Sequence, residues 1–199
     1  VQACESVAKE NDIQIAVCPP MVELSRIASQ TSIPVFSQSV DAARPGSSTG
    51  WVPVESLNIP NVTGTLLNHS EHRMGIADIE FCVNALRKLN LLSIVCTNND
   101  HVSRACAAFK PDFVAIEPPE LIGGDVSVTD ANPDIISKSI ESVRSISRDT
   151  KILTGAGVKR GADVKNALKL GCDGVLLASG VVKAKDPKEA LLELAPGIA

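Results

Sequence analysis

Tyrosine is absent from this chain, and four Phe and one Trp are the only aromatic residues among 199. Aromatic anchors cannot build such a core, so Val, Ile, Leu and Ala must fill it, as they do in parallel sheets covered by helices. Positive charge is also scarce, with 19 Lys and Arg against 23 Asp and Glu, a net charge of −4 and a pI near 5.4. A nucleic-acid partner would want a basic stripe, and that class is excluded. No run approaches the roughly 18 apolar residues that a membrane helix needs, and no secretory-type apolar stretch stands near Val1. The six cysteines (Cys4, Cys18, Cys82, Cys96, Cys106 and Cys172) form no Cys-x-x-Cys pair. Several lie within apolar runs and read as small buried hydrophobes in a reducing cytosol, so a cytoplasmic location is expected.

What the chain does have is alternation. Strand-like runs at Ile13–Cys18, Val35–Val40, Gly64–Asn68, Leu92–Cys96, Phe113–Ile116, Ile152–Thr154 and Gly174–Ala178 are separated by helical patterns near 22–30, 75–89, 101–109, 133–147, 162–170 and 186–194. Cys4, Val7 and Ala8 already keep helical spacing without a capping residue before them, so the chain reads as entered within a helix. Residues 41–63, rich in Pro, Gly and Ser and carrying Trp51, read as a long functional loop before a short helix. Such alternation predicts a parallel α/β fold in one domain spanning residues 1–199. Polar and Gly-rich residues follow many different strands, at Asn68-His69, Glu117, Gly155-Ala156-Gly157 and Ala178-Ser179-Gly180. A barrel gathers many strand ends at one mouth, whereas an open sheet concentrates its chemistry at one switch point, so the barrel is favoured.

Glu117 ends the apolar run Phe113–Ile116 and is followed by Pro118-Pro119 and then Gly123-Gly124. A carboxylate at a strand end, beside a loop stiff at one side and loose at the other, suits a general base under a closing lid. His69, directly after another strand and beside Asn68, Ser70 and Glu71, is the candidate electrophile; His72 and His101 lack that setting and are expected to face solvent. His69-x-x-His72 has no third ligand at metal spacing, so neither a metal nor an organic cofactor is expected. The small residues after the last two strands let backbone N–H groups approach an anion, which suggests a phosphate grip. A base, an imidazole and a phosphate cradle together point to proton transfer on a small phosphorylated substrate.

The segments Leu66-Leu67-Asn68-His69-Ser70-Glu71, Val114–Gly123, Gly155-Ala156-Gly157 and Leu176-Leu177-Ala178-Ser179-Gly180 resemble, collinearly along the chain, the archaeal-type triosephosphate isomerase family. The resemblance implies a TIM (β/α)8 barrel that interconverts D-glyceraldehyde 3-phosphate and dihydroxyacetone phosphate, in glycolysis and gluconeogenesis, without cofactor. It implies Glu117 as the base that moves a proton through an enediolate and His69, as a neutral imidazole, as the group polarising the carbonyl. It further implies Ile122, Gly157, Ala178 and Ser179 at the phosphate, Pro118–Gly124 as the lid, and Glu71 as a supporting carboxylate. Gln38 and the loop Pro45–Gly50 resemble the family's interface strand and loop, so a homodimer or homotetramer is expected, with no nucleic-acid or membrane partner.

Two features depart from the family pattern. Its lid commonly ends Gly-Thr-Gly, whereas Gly123-Gly124-Asp125 stands here, which implies altered lid mobility. Its first strand carries an Asn-x-Lys motif, and none of the seven strand candidates ends in one. That strand with its loop and half a helix, about 25 residues, is expected before Val1. A seven-strand derivative would expose sheet edges and an apolar interior. The alternatives are another phosphate-binding barrel enzyme of the sugar-phosphate epimerase type, and an inactive truncated barrel that binds phosphometabolites.

Overall fold

Among the described residues of the computed structural model, all the strands of the sheet run in the same direction. Six form this one parallel sheet in chain order: β1 Val35–Ser37, β2 Val62–Leu67, β3 Leu92–Thr97, β4 Phe113–Ile116, β5 Lys151–Thr154 and β6 Gly174–Val175. The structure describes residues 1–118, 133–155 and 157–198. Around the sheet lie α1 Gln2–Asn11, α2 Leu24–Ala28, α3 Ile76–Lys88, α4 Asp100–Ala107, α5 Pro133–Ile146, α6 Gly161–Leu170, α7 Ser179–Val182 and α8 Pro187–Leu194. Local chemistry sets their limits. The Asn99 side chain accepts the Val102 N–H at 2.9 Å to start α4, Asp186 does the same for α8, and Gly171, at φ 102°, stops α6. The short helix expected to follow the long loop is instead a 3₁₀ turn within it, Val54–Leu57.

Strand alternation divides the core into two layers. Phe36, Leu66, Ile94, Cys96 and Ala115 point inward and pack with Cys18, Phe113, Leu153 and Leu176. The intervening Leu67, Val95, Val114, Ile116 and Ile152 point outward beneath the helices. The helix α1 packs against α8, so the first and last helices meet and the curled sheet forms the greater part of a (β/α) barrel.

The expected strand Ile13–Cys18 is corrected to a single bridge, Val17 beside Val35. The Val17 N–H donates to the Pro34 carbonyl at 3.1 Å, and the Phe36 N–H donates to the Val17 carbonyl at 2.9 Å. In a parallel ladder the preceding rung would need the N–H of residue 34 and the following rung that of residue 19. Both are prolines, so neither rung can form. The Gly174–Ala178 candidate shortens to two residues because Ala178 caps α7.

Leu67 is fully buried between sheet and helices. Leu67→Ala should cost about 2–5 kcal/mol of stability, read from the urea midpoint at unchanged m-value.

Candidate active site

Glu117 continues the inward set Phe113 and Ala115 by one more alternation, which aims its side chain into the mouth of the barrel. Its N–H donates to the Thr97 carbonyl at 2.7 Å, so the backbone stays tied to β3 one residue past the strand. The side chain is 7% exposed, and Oε2 is buried with no hydrogen-bond partner among the described residues. Burial is the largest influence and pushes the carboxyl above the usual glutamate range, while the Cys96 thiol, His69 and Arg73 pull it back. Burial and the neighbouring carboxylate in turn push the Cys96 thiol well above its ordinary value.

His69 reaches the same mouth from β2. Asn68 turns the chain there in the left-handed region, φ 58°, which Asn tolerates better than most residues. Its buried amide donates to the Cys96 carbonyl at 2.9 Å, and its Oδ1 accepts the Met74 N–H at 3.0 Å. Arg73 closes the turn by donating to the Asn68 carbonyl at 2.9 Å. Within this turn the Glu71 N–H donates to His69 Nδ1 at 3.3 Å. An accepting Nδ1 leaves the proton of a neutral ring on Nε2. Nε2 stands 3.9 Å from Glu117 Oε2, too far for a hydrogen bond and close enough for both to touch neighbouring atoms of one small substrate. The Glu71 carboxylate lies 3.6 Å from Nδ1 with its side chain 87% exposed, so the backbone N–H, not the carboxylate, orients the ring.

The ends of β4, β5 and β6 converge at Gly155. A Cβ there would come within 2.6 Å of Glu117 Oε1 and 2.8 Å of the Leu176 carbonyl, which only glycine avoids. Two residues beyond, Gly157 takes φ 72°. The loop after it touches α7, since a Cβ on Gly180 would meet the Val158 carbonyl at 2.9 Å. The N–H groups of Gly157, Val158, Ser179 and Gly180 donate to no acceptor among the described residues. Lys159, Ser179, Gly180, Lys183 and Ala184 line an open cavity of about 310 Å³ beside them. The arrangement offers backbone donors and two lysines to an anion. Ala178 is exposed at the cap of α7, and Ile122 and lid residues 119–124 lie outside the described residues. His72 and His101 face solvent, and among the described residues no His, Cys, Asp and Glu groups are gathered for a metal ion.

A profile of the triosephosphate isomerase family matches residues 1–195. The chain belongs to the triosephosphate isomerase family. It is 49% identical over 190 residues to the triosephosphate isomerase of Methanocaldococcus jannaschii, covering 96% of this chain and 87% of that protein. The corresponding protein of Methanoculleus marisnigri is 50% identical over 192 residues, covering 96% and 86%. That of Methanosarcina acetivorans is 46% identical over 193 residues, covering 97% and 87%.

Sequence reasoning passed over Arg73 and Asp163, read Cys96 only as a small buried hydrophobe, and read Gly155 only as part of a Gly-x-Gly phosphate turn. Asp163 left a local signal, an acidic residue three positions after the cap residue Arg160, where a capping box places one. Gly155→Ala should displace the Glu117 carboxylate while keeping the fold. Turnover should fall on the order of a hundredfold with an unchanged far-UV spectrum, since misplacing a reacting group by an ångström costs about that much.

Proposed function

We propose that this chain interconverts D-glyceraldehyde 3-phosphate and dihydroxyacetone phosphate, with Glu117 as base and His69 as electrophile. The buried carboxylate of Glu117, its Oε2 unpartnered and 3.9 Å from His69 Nε2, carries the reading. Glu117 takes a proton from the carbon next to the carbonyl, and the electron pair moves into an enediolate whose oxygen receives the Nε2 hydrogen bond. The same carboxylic acid returns the proton to the neighbouring carbon, while His69 Nε2 gives its proton to one enediolate oxygen and takes the hydroxyl proton from the other, so atoms balance without a cofactor. Gly157, Ala178 and Ser179, with Ile122 on the lid, hold the phosphate. The cluster of unbonded N–H groups beside Lys159 and Lys183 supports that assignment. Glu71 acts through its backbone N–H on the ring of His69.

We take residues 1–199 as one domain, working in the cytoplasm as a homodimer or homotetramer. The continuous sheet and the packing of α1 on α8 support the first of these. The six free thiols and the absence, among the described residues, of a helix long and apolar enough to cross a membrane suit the second. The loop around Trp51, 61% exposed beside a cavity of about 400 Å³ lined by Ala42, Arg44, Pro45 and Ser48, supports the third. Gln38, also expected at the interface, donates to the Cys18 carbonyl at 3.0 Å.

Isomerase turnover is the test, run on this chain and on one preceded by a strand bearing Asn-x-Lys. Turnover in either, lowered by Glu117→Gln about 10²–10⁴-fold, is expected. Folded protein inactive in both forms would overturn the assignment.

Glu117→Gln should also change stability with pH. The folded carboxyl lies above its ordinary value of 4.5, so the native state holds more protons than the unfolded state between the two values. The stability of the parent therefore falls as pH rises through that window. Thermal melts should show the Gln variant gaining on the parent with rising pH and the gap closing below pH about 4. A gap independent of pH would contradict the raised carboxyl.

A further inference from the structure

We propose that Asp163 is a positioning residue for the phosphate grip, holding the loop of residues 157–160 so that its open N–H groups face the anion together with those of α7. This rests on the functional reading above. Asp163 sits one turn into α6 and is 1% exposed, yet its carboxylate takes three donors, all from this loop. Oδ2 accepts the Lys159 N–H at 3.0 Å and the Arg160 N–H at 2.9 Å, and Oδ1 accepts Arg160 Nη2 at 3.0 Å.

A helix cap needs only the second of these. In a capping box the side chain three residues into the helix returns to the N–H of the cap residue, here Arg160. The bond to Lys159 reaches outside the helix, and it fixes two consecutive amides toward the carboxylate. The next two amides back along the chain, Val158 and Gly157, are left as the loop's unbonded donors.

The loop is also coupled to the other half of the cradle. The Val158 side chain is buried with Val164 and Leu194 and packs with Leu177 and Val181. Its carbonyl lies where a side chain on Gly180 would stand. A loop released at 159–160 therefore moves the donors of Gly157 and Val158 and loosens the seat of Ser179 and Gly180. Burial opposes the charged form of Asp163, but the amides of Lys159 and Arg160 and the Arg160 guanidinium outweigh it and hold the carboxyl below its ordinary range.

Asp163→Asn separates a positioning role from a merely structural one. It should raise KM for glyceraldehyde 3-phosphate and weaken competitive inhibition by inorganic phosphate, each about tenfold, while kcat/KM for unphosphorylated glyceraldehyde stays within about twofold. Unchanged KM and phosphate inhibition would overturn the proposal. So would a loss on glyceraldehyde in step with the loss on triose phosphate, because damage to the barrel affects both substrates alike. If the Asn variant does not fold, Asp163→Ser, which keeps one short acceptor, carries the same expectations. A parent that binds inorganic phosphate calorimetrically without turnover leaves the comparison of phosphate affinities to decide. A parent with neither turnover nor phosphate binding would overturn the functional reading, and this inference with it.

Discussion

A carboxylate oxygen buried without a hydrogen-bond partner among the described residues is the constraint around which this end of the barrel is arranged. Leaving such a group unsatisfied costs about 1–3 kcal/mol, so the surroundings must hold it there by force of packing. The backbone N–H of Glu117 is bonded to the Thr97 carbonyl, and its side chain continues the inward face of β4. It has room to stand only because position 155 carries no Cβ. The Cys96 thiol, the His69 ring and Arg73 limit the rise of its proton affinity that burial alone would cause. Proton abstraction needs this compromise, a carboxylate poorly solvated yet still ionisable.

Two short polar side chains do the positioning, and they use the same device. Asn68 bonds Cys96 of the next strand and Met74 of its own turn, and so fixes the segment that presents His69. Asp163 bonds two consecutive amides of the turn before α6, those of Lys159 and Arg160. Each satisfies backbone groups in the segment that follows a strand, where the sheet no longer does so. Loops built this way hold their donors and acceptors in place before substrate arrives, which is what electrostatic catalysis requires.

Much of this was legible in the residues. Glu117 follows four strand-forming residues and precedes two prolines, and His69 ends another strand in a polar run, so each had a place before either had a neighbour. Their separation of 3.9 Å was beyond the sequence, since they stand 48 positions apart in the chain. Gly155 read as half of a weak Gly-x-Gly signal, and nothing local shows that Glu117 occupies the space of its missing side chain. Cys96 read as a small hydrophobe, which it is, while its contact with the base comes from the neighbouring strand. Ile13–Cys18 read as a strand because its hydrophobicity suits one. The decisive facts were Pro19 and Pro34, one of them on the partner segment, whose missing N–H groups remove the rungs on both sides of Val17.

Period-two hydrophobicity, turn residues and helix caps act over a few neighbours. The sequence by itself therefore determined the alternation of strands and helices, the parallel class and the strand ends that carry polar groups. Tertiary structure alone decided which of those ends touch, which carboxylate is desolvated and which amides are left for an anion. Those outcomes depend on distances between residues far apart in the chain, and they are set by ladder register and by the space left where a side chain is absent.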